Sequence, residues 1–460
     1  LRRVFEKRDA GLYNENVLKS PKVGTNSKLR RRPYMKSTQN EKISQIKFST
    51  LVVGIDVAKE THYARAFDFR GIELSKLLKF SNTAEGYEKL EEWMQNICQQ
   101  HNKTEIIVGL EPTGHYWFTL GDYLKSQGHK LAMVNPFHVK RTKELDDNSP
   151  SKNDRKDPKT IAMLVKDGRY REVYIPEDVY QELREAVTER DRLVQRMNTI
   201  SNQVTRWLDI HFPEFNTIFK DWRGQAAIQV LRNYPTPDKI VAAGAEKIEE
   251  TWKSTMKRTA GLKRAQELVR AAGKSIGRRT GLIAAEASLQ NLLNEYDLYS
   301  QQYQQLEQLM LELLQQVPHG EKLLEIKGVG LVTAATFVGE VGDIRRFQDP
   351  RQIQKLAGLN LVENSSGKHK GKSKISRRGR KRLRHSLFMA MITILATNPE
   401  FRQLHQRNLK RETNPLNKMQ SIVALCGKLI RVFYALLRTG NDYSAEKMLG
   451  DIKQSMKTAA

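Results

Sequence analysis

The chain has only two cysteines in 460 residues, Cys98 and Cys426. That excludes a disulfide framework and a zinc site built on cysteine thiolates. No apolar run approaches the ~18 residues of a membrane span, and no charged-apolar-small secretion signal opens the sequence. A Gly-rich nucleotide loop of the Walker type is also missing. Acids are in short supply: 52 Asp and Glu stand against 78 Lys and Arg, for a formal charge of +26. Such an excess predicts a polyanionic partner, nucleic acid before an anionic membrane surface. Hydrophobic residues make up 39%, enough for real cores, and the length predicts roughly two to four domains. The expectation is a soluble, cytoplasmic, nucleic-acid-facing protein.

Residues 1–48 carry Arg2, Arg3, Lys7, Arg8, Lys28 and the run Arg30-Arg31-Arg32, with few large apolar residues and no period. They predict a basic, disordered tail, either an arm on nucleic acid or a loose extension. The first methionine is Met35, and translation is expected to start there or at a non-AUG codon.

Residues 49–172 read as an α/β domain. Leu51 to Val57 is a buried strand carrying Asp56 near its end. His62–Phe69 and Glu73–Phe80 form two further strands around Arg70-Gly71, and Thr83 caps a helix running to Gln100. Ile106–Glu111 is a second buried strand ending in an acid, followed by a helix (Tyr116–Ser126) and a strand (Lys130–Val134). Three strands followed by alternating helix and strand predict a mixed α/β sheet. Residues 173–317 hold two long helices. In the first, 179–211, Val179, Leu183, Ala186, Leu193, Met197, Ile200, Val204 and Trp207 keep alternating three- and four-residue steps, broken at Arg190. The second repeats the pattern from Leu289 to Leu313. Sustained 3-4 spacing predicts a coiled-coil stalk, paired within one chain or between two, with a basic helical insert at 213–287. Residues 318–440 predict a mainly helical domain, and 441–460 a second tail.

Three constellations could carry chemistry. Asp56 and Glu111 both stand where a buried strand meets a loop, a costly place for a carboxylate unless it is solvated or bound to a cation. If the strands are neighbours, the two acids converge at one sheet edge. Asp154 and Asp157 follow in Lys152–Pro158. Four convergent carboxylates would make a hard, oxygen-rich site for Mg2+, suited to phosphodiester chemistry. Alternatively Asp157 caps the helix opened by Pro158, with Asp154 solvated ahead of it. His115, four residues past Glu111, either lines the acid site or is a lone exposed histidine. Second, Lys327-Gly328-Val329-Gly330 between short helices resembles a helix-hairpin-helix element, whose glycines and free N–H groups can meet a DNA phosphate; it also fits a plain helix turn. Third, Asn364-Ser365-Ser366-Gly367 runs into Lys368, Lys370, Lys372, Lys374, Arg377, Arg378, Arg380, Lys381, Arg382 and Arg384, without one acid. A serine hydroxyl there is either a nucleophile toward a phosphodiester or a turn serine in a basic loop. The cations themselves predict salt-dependent phosphate binding.

The order of these parts resembles one family: Gly54-Ile55-Asp56-Val57-Ala58-Lys59, Glu111-Pro112-Thr113-Gly114, Val134-Asn135-Pro136, Asp154-Arg155-Lys156-Asp157, a coiled coil, Gly328-Val329-Gly330, Ala357-Gly358-Leu359, Ser366-Gly367 and Arg378-Gly379. From about Leu51 to Arg438 the chain resembles the DEDD transposases of the IS110 insertion-sequence family, also described as bridge-RNA-guided recombinases. The resemblance implies an RNase H-like (RuvC-like) N-terminal domain whose tetrad Asp56, Glu111, Asp154 and Asp157 holds Mg2+. It also implies a C-terminal transposase domain in which Ser366 forms a phosphoserine link to DNA. The implied partners are donor and target DNA, a structured guide (bridge) RNA, and further copies of the chain, a dimer assembling to a tetramer in which the acids of one subunit meet the serine of another. Two other readings fit the residues. One is a RuvC-like nuclease that hydrolyses DNA junctions with water; the other is a non-catalytic nucleic-acid-binding scaffold.

Overall fold

The computed structural model describes residues 39–112, 114–146, 156–172, 174, 178–256, 260–362, 365–366, 369–370 and 374–449. Six strands form one mixed sheet: β1 (Thr50–Asp56), β2 (Thr61–Phe67), β3 (Leu78–Ser81), β4 (Glu105–Leu110), β5 (Lys130–Val134) and β6 (Tyr170–Glu172). Their order is β3-β2-β1-β4-β5-β6. β2 runs antiparallel to both β1 and β3; β1, β4 and β5 are parallel; β6 is antiparallel to β5. This arrangement is compatible with an RNase H-like domain. The third strand is shorter than expected. It begins at Leu78, with only a single bridge from Phe67 to Glu73 upstream. β6 has three residues, too few for a legible period.

Burial on both faces explains the unbroken apolar run of β1. Against one face lie α2 (Ala84–Gln100), capped by Thr83 as expected, and α3 (Trp117–Ser126), which bury Leu90, Met94, Leu120 and Leu124. Against the other lie α4 (Pro136–Asp146) and α5 (Asp157–Lys166), with Val139, Ile161, Ala162 and Val165 in the core. α1 (Gln39–Ser44) precedes the sheet. Lys42 Nζ donates to the Tyr170 carbonyl at 2.6 Å and Gln39 donates to the Asp167 carbonyl at 2.8 Å, so residues 39–48 are part of this domain.

α6 (Val179–His211) and α11 (Leu282–Gln316) pair side by side within one chain. They are antiparallel: Arg190 meets Tyr303, Arg196 lies over the Tyr299 ring, and Trp207 donates to the Ala285 carbonyl. The break in the heptad pattern has a partner. Arg190 lies over the Tyr303 ring at 5.1 Å and donates to its hydroxyl at 3.0 Å. Between the two helices, α7 (Phe215–Ile218), α8 (Gln225–Asn233), α9 (Pro237–Thr255) and α10 (Leu262–Gly273) gather around Phe212, Phe215, Trp222 and Trp252 as a helical insert with its own core.

The C-terminal part comprises a 3-10 turn (Gly320–Glu325), α12 (Leu331–Val341), α13 (Pro350–Leu356), α14 (Lys381–Thr397), α15 (Pro399–Lys410) and α16 (Lys418–Thr439). Between α13 and α14 lie two small ladders absent from the sequence reading, β7 (Leu361–Val362) with β10 (Lys374–Ile375), and β8 (Ser365–Ser366) with β9 (His369–Lys370). The core of this part also takes Leu183, Ala186 and Val187 from α6, Met310 and Leu314 from α11, and Met448 from beyond α16. One packed core therefore takes residues from both sides of 317 and reaches Met448. α16 is long and apolar enough to cross a membrane by length and composition alone, although Lys428 and Arg431 break its apolar run. Here its Leu425, Leu429, Ile430 and Phe433 are buried in the protein core.

Candidate active site

The acid site follows from strand register. β1 and β4 are parallel neighbours, and Gly54 pairs with Gly109 and Ile55 with Leu110. Asp56 and Glu111 are the next position along, at the carboxyl ends of adjacent strands. Side chains alternate along a strand, so Asp56 shares a face with Gly54, and Glu111 with Gly109. That is the α5 face. A Cβ on Gly54 would lie 2.0 Å from the Pro158 carbonyl oxygen, and one on Gly109 would lie 2.6 Å from a Val165 methyl. The glycine pair lets α5 settle onto the sheet with its first turn beside the two strand-end acids.

Asp157 opens α5. The residue preceding the helix is Lys156, which makes no side-chain cap, so Asp157 is not the capping residue. It is 8% exposed. Its Oδ1 accepts no hydrogen bond and instead lies in ion contact with the Lys143 ammonium from α4. Burial pushes the Glu111 carboxyl above the ordinary range; the Asp157 charge pushes it the same way, and Lys143 partly offsets both. Asp56, Glu111 and Asp157 are thus drawn to one end of the sheet. Asp154, the fourth predicted acid, lies outside the described residues. Among the described residues, no three candidate ligands stand close enough to hold a metal ion as placed. Chemically the set fits a hard cation: two desolvated acids repel each other, and one of them already draws the Lys143 ammonium to a buried carboxylate oxygen. Lys143 supplies the positive charge there, and sequence reasoning missed it because α4 carries no motif. His115 is exposed, its ring against Tyr116 at 4.3 Å.

Ser366 belongs to the other end of the chain. In β8 it stands in register with His369 of β9, and Ser365 with Lys370. His369 was not singled out from the sequence, because register across a two-residue ladder leaves no spacing signal. Lys368 and Lys372 lie outside the described residues. In the rest of the basic run the cations divide. Arg380 and Arg382 both reach Glu340, a buried acid of α12, at 3.1 and 3.4 Å, and Arg382 also meets Asp191 at 3.0 Å. Arg384 donates to the Ala357 carbonyl at 2.8 Å. Lys374, Arg377, Arg378 and Lys381 are exposed. The stretch lacks an acid in sequence but finds one in space.

The two glycines of Gly328-Val329-Gly330 also differ. Gly328 has φ +97°, and a Cβ there would lie 2.5 Å from Thr397 Oγ1 and 2.9 Å from the Ile394 Cα, so α14 demands this glycine. Gly330 precedes α12 with nothing within 4 Å of its Cβ position, and Lys327 is exposed beside it. The first helix of the expected helix-hairpin-helix is a 3-10 turn.

Comparison with known proteins yields two family profiles. One, described as "Transposase", matches residues 53–213. The other, described as "Transposase IS116/IS110/IS902 family", matches residues 320–406. Together they enclose Asp56, Glu111, Lys143, Asp157, Asp191, Lys327, Glu340 and the basic run 368–384, and leave most of the helical insert outside. The pilin gene-inverting protein of Moraxella bovis is 24% identical over 403 residues, covering 86% of this chain and 98% of that protein. An insertion element IS110 protein of 43.6 kDa from Streptomyces coelicolor is 23% identical over 407 residues, covering 86% and 96%. An insertion element IS900 protein of 42 kDa from Mycobacterium paratuberculosis is 24% identical over 287 residues, covering 61% and 71%.

Proposed function

Because this chain belongs to the IS110 family of insertion-element transposases, we propose that it cuts and rejoins DNA strands through a serine nucleophile assisted by a carboxylate-held Mg2+ ion. The observation that carries the reading is the register of β1 and β4, which sets Asp56 beside Glu111 over the first turn of α5, where Asp157 sits. DNA as substrate follows from the family, and the excess of 78 basic over 52 acidic residues suits it.

Asp56, Glu111 and Asp157, with Asp154, would hold the ion. Bound there, it would supply positive charge to the scissile phosphate. The Ser366 oxygen forms a bond to phosphorus, and the strand oxygen leaves with the proton that the serine gives up. The phosphoserine link conserves the bond energy, so rejoining runs the step backward without ATP. The exposed cations Lys374, Arg377, Arg378 and Lys381 hold the strand by its phosphates. The RNase H-like fold, a structured guide RNA pairing with both donor and target DNA, and a dimer that assembles to a tetramer complete this reading on the strength of the family resemblance. Guidance by base pairing would account for a strongly charged protein with little evident base-reading machinery.

Two variants test it in a strand-exchange assay with a denaturing gel for protein–DNA adducts. Ser366→Ala should abolish the adduct and recombination while DNA affinity persists. Asp56→Asn should abolish activity at unchanged affinity. Strand cleavage by Ser366→Ala at the wild-type rate would instead identify a junction nuclease that uses water. Full function of Asp56→Asn would identify a scaffold.

A further inference from the structure

The helical insert is not explained by either chemistry above, yet it carries a well-built surface. α10 buries Ala265, Leu268 and Ala272 and turns Lys263, Arg270 and Lys274 outward at helical spacing. From residue 262 to 280 there are six cations (Lys263, Arg264, Arg270, Lys274, Arg278 and Arg279) and one acid, Glu267. This stripe leads into a short loop at whose tip Ile276 is 84% exposed.

The loop is braced rather than slack. The Glu214 carboxylate accepts from the Ser275 hydroxyl at 2.6 Å and from the Ile276 N–H at 3.0 Å. The Ser275 hydroxyl in turn accepts from the Gly277 N–H at 3.1 Å, and the Arg278 N–H donates to the Ile210 carbonyl at 2.8 Å. Gly277 passes so close to α6 that a Cβ would lie 2.0 Å from the His211 carbonyl oxygen. α6 and the hydrogen-bonded Glu214 carboxylate therefore hold an isoleucine out into solvent, where it contributes nothing to the protein's own core.

We propose that this loop is a DNA-bending finger: Ile276 wedges into a base step of duplex DNA while Lys274, Arg278, Arg279 and the outer face of α10 hold the flanking phosphates. An aliphatic wedge flanked by cations is how proteins unstack and kink a duplex. A protein partner is disfavoured, because Lys274, Arg278 and Arg279 flank Ile276 at the tip and charged residues are depleted from protein interface cores. RNA is disfavoured, because recognition of unpaired bases relies on aromatic stacking and the finger has no aromatic residue. The inference rests on the reading that the chain acts on DNA.

The test is end-to-end energy transfer on a doubly labelled random-sequence duplex of about 40 base pairs, with full-length protein. Wild type should bind and shorten the end-to-end distance. Ile276→Ala, which alters only a solvent-exposed side chain, should bind within about threefold of wild type yet leave the duplex straight. Lys274→Ala/Arg278→Ala/Arg279→Ala should weaken binding and lower the slope of log affinity against log salt by about three. Equal bending by Ile276→Ala overturns the finger and leaves the transposase reading intact, and so does a straight duplex in the wild-type complex. Loss of self-association in Ile276→Ala, measured by light scattering, would assign the residue to a contact between copies and overturn the proposal. Failure of wild type to bind duplex at all overturns the finger, while the strand-exchange assay with Ser366→Ala and Asp56→Asn decides the transposase reading.

Discussion

Lys143 of α4 and Asp157 of α5 form an ion contact in which the carboxylate is buried and the ammonium is partly exposed. The lysine neutralises the same acid that the proposed Mg2+ ion would engage, so the two cations compete for one oxygen. Lys143→Ala leaves a buried acceptor unsatisfied and should cost on the order of 1–3 kcal/mol in urea unfolding without divalent ions. Added Mg2+ should raise the thermal midpoint of the variant more than that of wild type.

Glu111 carries the complementary prediction. Its carboxyl is raised by burial and by Asp157, so the folded state holds its proton to higher pH than the unfolded chain does. The charged form then lowers stability as pH rises from the ordinary glutamate value, near 4.5, through the raised folded value. Glu111→Gln removes that cost. It should raise the thermal midpoint at pH 7–8, have little effect at about pH 4, and abolish any stabilisation by Mg2+.

Glycines of one motif should behave oppositely. Gly328→Ala forces a Cβ against α14 at a positive φ and should destabilise the fold by several kcal/mol, on the order of 2–4. Gly330→Ala has open space and an extended backbone, so its thermal midpoint should match wild type. If the backbone before α12 meets a DNA phosphate, Gly330→Ala will weaken DNA binding without touching stability, and a filter-binding titration reads it.

Among the cations, Arg378 and Arg382 should separate binding from folding. Arg378→Ala, at an exposed position, should lower the log affinity–log salt slope by about one and leave the melting curve unchanged. Arg382→Ala strips the buried Glu340 of one of its two guanidinium partners and should cost on the order of 1–3 kcal/mol of stability.

What was legible in the sequence was what periodicity and local chemistry report. β1 and β4 showed as apolar runs, α6 as 179–211, and the Thr83 cap as a hydroxyl before an amphipathic stretch; all are in the structure. The convergence of Asp56 and Glu111 was conditional on the strands being neighbours, and they are. What escaped was set by contacts distant in sequence. Lys143 finds Asp157 through the packing of α4 on α5. Glu340 finds Arg380 and Arg382 across 40 residues of chain. The two-residue ladders around Ser366 are too short for alternation to mark them.

The core beneath α12, α14 and α16 draws on Leu183 from the start of α6 and Leu314 from the end of α11, both at the base of the long hairpin, but it is completed only by Phe433, Leu437 and Met448. During synthesis from the N-terminus, the sheet domain has all its strands once Glu172 has emerged, and the insert has its own aromatic core soon after Leu293. The base of the hairpin must then wait, with its apolar side chains exposed, for the last helix to leave the ribosome. A ribosome that stalls between α12 and α16 would therefore release a chain folded at both the sheet and the hairpin tip and sticky in between, and that species is the one a chaperone would be expected to hold.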